Sequence, residues 1–169
     1  MRFRTIAVNF LCVALLAGCT PNSEKSGQVS GPAPNFTLAS LDGQNTSLAS
    51  LRGKVVLLDF WATWCPPCRR SLPHLQKMSA DPELKNKGLV VLAINQEEEL
   101  SKIRPFMDEG HYTFNVLRDT DGAVSRAYNV EGIPTTVIIG RDGNVRNVFV
   151  GFAEDSVKQV DDAVNAALQ

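Results

Sequence analysis

Two cysteines separated by two prolines, Cys65 and Cys68, follow directly after the apolar run Val55–Trp61. An apolar run that leads into a proline-started helix predicts a buried strand ending at the helix N-terminus. The unpaired N–H groups and partial positive charge of a helix N-terminus favour an anion, here the thiolate of Cys65. Because the thiolate is the nucleophile in disulfide exchange, the spacing predicts a dithiol/disulfide redox centre in which an exposed Cys65 attacks.

Cys68 lies one helical turn beyond Cys65 and is the natural second thiol of this centre. The short spacing makes its attack on a mixed disulfide at Cys65 intramolecular, and therefore fast. Pro66 and Pro67 stiffen the turn and remove two N–H donors from near the sulfurs, which affects thiolate stability and the reduction potential. The spacing predicts the centre but leaves the direction of electron flow open.

Asp59 is the charged residue of the apolar run and precedes Cys65 by six positions. A strand this apolar is buried on both faces, so desolvation should raise the pKa of the Asp59 carboxyl. Such a group can take the proton from Cys68 as that thiol attacks. The alternative is a carboxylate with a structural hydrogen bond near the strand end.

Residues 1–18 have the form of an export signal, with Arg2 and Arg4 before the apolar stretch 6–16 and small residues leading to Cys19. The stretch is too short for a stable membrane span. The pattern resembles bacterial lipoproteins, which predicts cleavage after residue 18 and a lipid on Cys19. Thr20 after this cysteine indicates outer-membrane sorting in a Gram-negative cell. An ordinary secretory signal cut nearby is the alternative.

The cysteine count then leaves one pair in the folded part of the chain. Cys12 falls within the removed segment and Cys19 carries the lipid, so only Cys65 and Cys68 remain. Without a structural disulfide, residues 35–169 must be held as one domain by an ordinary apolar core, for which 44% hydrophobic residues suffice. Residues 19–34, rich in Ser, Gly, Asn and Pro, are predicted to be a flexible tether.

Charge and histidine content exclude other classes of function. The 17 basic and 18 acidic residues include no basic patch, which argues against nucleic-acid binding. Copper(I) or zinc on the two cysteines would make the domain a metal carrier, but zinc needs further ligands. His74 and His111 lack ligand spacing and are expected at the surface. We expect no metal, and no cofactor besides the Cys65–Cys68 disulfide.

Hydrophobic periodicity and turn residues predict the remaining elements. A small hairpin (residues 36–48) precedes the central strand, and an Asp-Gly turn joins two strands near the C-terminus. The predicted helices cover 66–78, 100–107, 123–128 and a stretch from about 154 to 168. The predicted strands cover 55–61, 89–94, 114–117, 135–139 and 145–150.

This order of elements around the cysteine pair resembles the thioredoxin fold, an α/β fold with a central mixed β-sheet flanked by helices. The resemblance rests on residues 58–69, the loop Gly132–Thr136 and Gly151. Together with the lipobox, the N-terminal β-hairpin and an α-β insertion between Gln96 and Leu117, the chain is most similar to the TlpA/ResA-type tethered proteins of the thioredoxin superfamily.

The resemblance implies a cis peptide between Ile133 and Pro134 that faces the disulfide and leaves the Ile133 backbone free to pair with an extended substrate. From the residues alone, a proline in such a turn is ordinarily trans. The two tryptophans near the cysteines, Trp61 and Trp64, would flank and shield the site. The implied substrate-binding residues are Trp64, Pro66, Pro67, Ile133, Pro134 and Thr135.

The resemblance also implies a function: a membrane-anchored, extracytoplasmic thiol–disulfide oxidoreductase that reduces exported proteins and receives electrons from a transmembrane thiol reductase. We expect a monomer on the periplasmic side of its membrane. Cytochrome c or oxidase assembly is one setting, although members with that role commonly carry acidic residues where this chain has Ser71, Thr135 and Thr136. A thiol peroxidase is the alternative on the same fold, but Leu58 and Ala62 occupy the positions of its signature residues.

Overall fold

A computed structural model describes residues 31–96, 98–153 and 155–169. Strands and helices alternate there in the order that the sequence predicts, with a first short strand and a second helix in addition. The strands are β1 (Gly31–Pro32), β2 (Thr37–Ala39), β3 (Asn45–Ser47), β4 (Val55–Trp61), β5 (Leu89–Gln96), β6 (Asn115–Asp119), β7 (Thr135–Ile139) and β8 (Asn144–Val150). The helices are α1 (Pro66–Ala80), α2 (Pro82–Asn86), α3 (Leu100–Glu109), α4 (Ala123–Ala127) and α5 (Ser156–Leu168).

Six strands form one mixed sheet in the order β1-β8-β7-β4-β5-β6. β4, β5 and β6 run parallel, because helical crossovers join them, whereas β7, β8 and β1 pair antiparallel. β2 and β3 form a separate hairpin, close to its predicted place. The prediction of a thioredoxin-like α/β fold with a central mixed sheet is confirmed.

β4 is buried on both faces, and its residues alternate between two apolar clusters. Val55, Leu57 and Trp61 join the cluster that contains both cysteines and the inner face of α1. The remaining apolar residues of β4 join the cluster on the opposite face of the sheet, namely Val56, Leu58 and Phe60. The strand therefore holds the start of α1 against a packed core on both sides.

α2 is an element that periodicity does not predict, and a local cap forms it. Asp81 accepts hydrogen bonds from the backbone N–H groups of Glu83 and Leu84, and Pro82 occupies the first helical position. α5 begins at Ser156, slightly later than predicted; position 154 itself lies outside the described residues. These differences leave the position of the cysteine pair unchanged.

The signal segment, Cys19 and most of the predicted tether lie outside the described residues, so these assignments stay predictions. The last tether residues are packed: β1 pairs with the start of β8, and the Tyr128 hydroxyl donates to the carbonyl oxygen of Pro34 at 2.8 Å. None of the helices within the described ranges has the length and apolar character needed to cross a membrane.

Candidate active site

Cys65 caps the N-terminus of α1, and its Sγ is bonded to that of Cys68 at 2.06 Å. Pro66 and Pro67 fill the first two helical positions, where a missing N–H costs least. The Cys68 N–H is therefore the first donor of the helix, and it lies 3.2 Å from Cys65 Sγ. The same contact and helix dipole are available to a thiolate when the disulfide is reduced.

The sequence predicts an exposed Cys65, but the exposed fraction of this residue is only 2% in the disulfide form. Its sulfur is drawn toward Cys68, which is fully buried, and lies 3.6 Å from the carbonyl oxygen of Ile133. The prediction is wrong because the residue packs within the apolar cluster of α1 and β4.

The loop that faces the disulfide contains a cis peptide between Ile133 and Pro134, as the resemblance implies. The loop is held at its C-terminal end, where the Pro134 carbonyl accepts from the Gly151 N–H at 2.7 Å. The Ile133 N–H has no hydrogen-bond partner in the part of the chain that the structure describes. This free donor beside Cys65 Sγ is suited to pairing with an extended peptide.

The predicted substrate-binding residues divide into exposed and buried ones. Trp64 is 65% exposed and Pro66 is also at the surface, whereas Pro67 and Ile133 are half-buried. Thr135 is buried, and its hydroxyl donates to the carbonyl oxygen of Gly132 at 2.6 Å, so its side chain shapes the loop. Trp61, predicted to flank the site, packs in the core beside Phe106 and Phe114.

Asp59 is buried, and desolvation raises the pKa of its carboxyl from 3.8 to about 7, in the direction that the sequence predicts. The Thr136 side chain, its neighbour across β7, offsets part of this shift. Oδ1 has no hydrogen-bond partner among the described residues. A carboxyl group with this pKa can exchange a proton near neutral pH.

Asp59 lines a small cavity between α1, α5 and the sheet. Its volume of about 30 Å³ is enough for a water molecule. Pro134 and Ser71 also line it, so the cavity reaches from the cis-proline loop to the cysteine helix. Ser71 lies where the resemblance would place an acid, which leaves Asp59 as the carboxylate that lines this cavity.

Glu98 is a site residue that sequence reasoning missed. It is only 5% exposed, and its carboxylate accepts from the Thr63 N–H at 2.7 Å, the Thr63 hydroxyl at 2.5 Å and the Asn95 amide at 2.8 Å. Arg69 Nε donates to the carbonyl oxygen of Thr63 at 2.7 Å. These contacts fix the loop before Cys65. The sequence does not predict this role, because Glu98 stands within a run of acidic residues and no local pattern distinguishes it from its neighbours.

No set of three or more His, Cys, Asp or Glu side chains within the described ranges is grouped to hold a metal ion. His111 is exposed as expected, while the side chain of His74 is 17% exposed and its Nε2 lies 3.0 Å from Asp161 Oδ1. The structure thus brings together the two sulfurs and the Ile133 carbonyl, while the buried carboxyl of Asp59 lies on β4, the strand that leads to the cysteines.

A family model described as Redoxin matches residues 28–166 of the chain. The thiol–disulfide oxidoreductase ResA of Geobacillus thermodenitrificans is 33% identical over 160 residues, covering 92% of this chain and 91% of that protein. ResA of Bacillus subtilis is 35% identical over 144 residues, covering 85% and 76%.

A solved structure extends the similarity to the fold. The crystal structure of a Chlorobium tepidum protein assigned as thiol:disulfide interchange protein DsbE has a TM-score of 0.78 and 35% identity, covering 85% of this chain and all of that one. The relatives share the reaction that the Cys65–Cys68 disulfide can perform. The chain therefore belongs to the redoxin family, as a ResA-type thiol–disulfide oxidoreductase of the thioredoxin superfamily.

Proposed function

We propose that this oxidoreductase works outside the cytoplasm as a membrane-anchored reductant of disulfides in exported proteins. The observation that carries the proposal is Cys65 Sγ at the N-terminus of α1, bonded to Cys68 and facing the Ile133 carbonyl. This arrangement supplies an activated sulfur, a second sulfur to complete the exchange, and a backbone edge for the partner.

Reduction begins when the Cys65 thiolate attacks one sulfur of a partner disulfide. The partner's S–S bond breaks, its second sulfur leaves as a thiolate that takes a proton from water, and a mixed disulfide forms at Cys65. Cys68 then gives its proton to Asp59 and attacks Cys65 Sγ, which releases the other partner sulfur. Two electrons pass to the partner, and the Cys65–Cys68 disulfide re-forms.

The partner segment is proposed to lie along the Ile133–Thr135 loop and against the exposed ring of Trp64. The free Ile133 N–H supports this, since an extended peptide needs a backbone donor at that position. Pro66 forms the other exposed edge beside the sulfur. Main-chain pairing would allow many disulfide-containing proteins to bind. Selectivity among them would then come from the exposed side chains around the sulfur, Trp64 and Pro66.

Electrons are proposed to come from a transmembrane thiol reductase that re-reduces the Cys65–Cys68 disulfide. The lipid on Cys19 and the tether would hold the domain within reach of that reductase, on the periplasmic side of a bacterial membrane, with Thr20 favouring the outer membrane. Cytochrome c or oxidase assembly is one setting for the substrates. No observation favours the peroxidase or metal-carrier alternatives.

Two measurements test the direction of electron flow. Equilibration with glutathione should give a reduction potential near that of thioredoxin, about −270 mV. Cys68→Ser should trap exported proteins as mixed disulfides at Cys65, and Cys65→Ser is the matched control that should trap none. A potential near about −120 mV would instead make the protein an oxidant and overturn the proposal.

A further inference from the structure

The protonation of Asp59 requires a path to solvent, because its carboxyl group is only 2% exposed. Each reduction of a partner moves one proton from Cys68 onto this carboxylate, and that proton either returns to Cys68 when the disulfide is re-reduced or exchanges with solvent in the oxidised protein. A buried acid cannot exchange protons with bulk water directly, so a side chain or an ordered water must carry them. The structure offers one such route.

The route starts in the cavity that Asp59 lines. Most of the cavity wall is apolar, from residues such as Leu75, Phe149 and Val160. The side chains of its wall that carry a titratable group are Asp59 on β4 and His74 on α1. At about 30 Å³ the cavity has room for a water molecule.

The route ends at α5, which covers the cavity from the other side. His74 Nε2 lies 3.0 Å from Asp161 Oδ1, and the Asp161 side chain is 43% exposed to solvent. His74 thus lines the cavity, and its imidazole also lies beside a carboxylate of α5. β7 and β8 contribute the uncharged Thr136 and Phe149 to the cavity, and Asp161 is the carboxylate next to His74.

We propose that His74 is a proton relay for Asp59, passing protons between the cavity and solvent with Asp161 as its outer partner. When Cys68 attacks Cys65, its proton moves to the Asp59 carboxylate. It then passes through cavity water to the His74 imidazole and, as the imidazolium ion forms beside Asp161, to solvent. The electrons of the exchange pass between the sulfurs and the relay carries only the proton, and the inference rests on the proposed role of Asp59 as base.

Two general features support the relay. Histidine is the side chain whose ordinary titration falls between pH 5 and 8, and its two ring nitrogens allow it to accept a proton on one side and release one on the other. The pKa of Asp59, raised by burial to about 7, lies in the same range.

The experiment mixes the reduced full-length protein with oxidised glutathione and follows the reaction by tryptophan fluorescence. At saturating oxidised glutathione the rate is set by the attack of Cys68 on the mixed disulfide at Cys65. His74→Gln keeps a polar side chain but cannot relay protons, and should slow this step about tenfold or more at pH 7. His111→Asn, which replaces the exposed histidine, should match the wild type.

Combined variants separate a relay from a merely structural effect. Asp59→Asn should slow the step by itself. Adding His74→Gln to this variant should cause no further slowing, because the carboxyl group to which His74 relays protons is already absent. Asp161→Asn tests the outer partner without changing the histidine, and should slow the step while the reduction potential stays unchanged.

The outcomes are distinguishable. If Asp59→Asn reacts as fast as the wild type, Asp59 is not the base, and both that role and the relay fail. If Asp59→Asn is slow but His74→Gln reacts as fast as the wild type, the relay alone is overturned. The relay is also overturned if His74→Gln slows the Asp59→Asn protein by the same factor as it slows the wild type. If oxidised glutathione oxidises none of the proteins, the redox assignment itself is wrong.

Discussion

Asp59 combines two properties at the residue scale that ordinarily exclude each other, since it is charged by type and buried by position. The strand needs apolar residues on both faces to hold the sheet, yet the reaction needs a proton acceptor near neutral pH. Burial serves the second requirement by raising the pKa to about 7. Burial of the ionised carboxylate lowers the free energy of unfolding, and this effect can be measured.

Asp59→Asn should remove a pH dependence of stability. The folded protein keeps this proton up to about pH 7, whereas the unfolded chain releases it near 3.8. The stability of the protonated form is thus fully present below the unfolded pKa and is lost as the pH rises through 7. Three pKa units correspond to a loss on the order of 4 kcal/mol. Urea unfolding of the oxidised protein at pH 4 and pH 8 measures it.

The matched control for this prediction is Asp108→Asn, which changes an exposed carboxylate on α3 and should keep the wild-type decline. The asparagine variant at 59 should be the more stable protein at pH 8. A decline as steep in Asp59→Asn as in the wild type would show that the carboxyl is not the source.

The start of α1 is the decisive feature at the element scale, because a helix offers its unpaired N–H groups to the residue that caps it. A cap usually accepts from the second or third helical residue. Pro67 occupies the second position and has no N–H, which leaves only the Cys68 N–H for Cys65. The two prolines therefore hold the thiolate to one donor.

Pro67→Ala should restore a second donor to Cys65. One more hydrogen bond to a charged sulfur should lower the midpoint pH of its alkylation by about one unit. Because the reduced form is stabilised, the reduction potential should rise by about 30 mV. Pro73→Ala changes an exposed proline inside the same helix and should alter neither value. An unchanged alkylation midpoint in Pro67→Ala would contradict this account of the cap.

Glu98 joins two elements, the loop before α1 and the segment that leads into α3. Glu98→Ala would leave the Thr63 N–H and hydroxyl buried without an acceptor, at a cost of about 2 to 4 kcal/mol in unfolding free energy. Glu98→Gln keeps an amide oxygen for the N–H and should lose less than half of that. Glu99→Ala alters the exposed neighbour and should be neutral, and equal losses in all three variants would refute the anchoring role.

The sequence predicts those elements that are specified by a local pattern of residues, and it misses those that depend on contacts between distant segments. β4 and the β7–β8 hairpin are marked locally, by an unbroken apolar run and by an Asp-Gly turn, and both were predicted within one residue. β1 has two residues and exists only through its pairing with β8. The role of Glu98 and the burial of Cys65 likewise depend on contacts between distant segments, which no local pattern carries.

The whole molecule divides into a packed body and the segment that precedes it. The described body begins at β1, whose pairing with β8 holds Gly31 and Pro32 in the sheet that carries the redox site. The residues before β1 are proposed to set location. If the redox chemistry and the localisation depend on separate segments, a substitution in one segment should abolish localisation without abolishing activity.

Cys19→Ser should therefore release the protein from the membrane without impairing its chemistry. Expressed at full length in a Gram-negative bacterium, the wild type should fractionate with membranes and carry the added mass of a lipid, whereas the variant should be soluble in the periplasm or retain an uncleaved signal. Cys12→Ser, within the predicted signal, is the matched control and should still be anchored. Both purified variants should reduce insulin disulfides at the wild-type rate, because Cys65 and Cys68 are unchanged. A Cys19→Ser protein that remains in the membrane after cleavage would show that another segment holds it there.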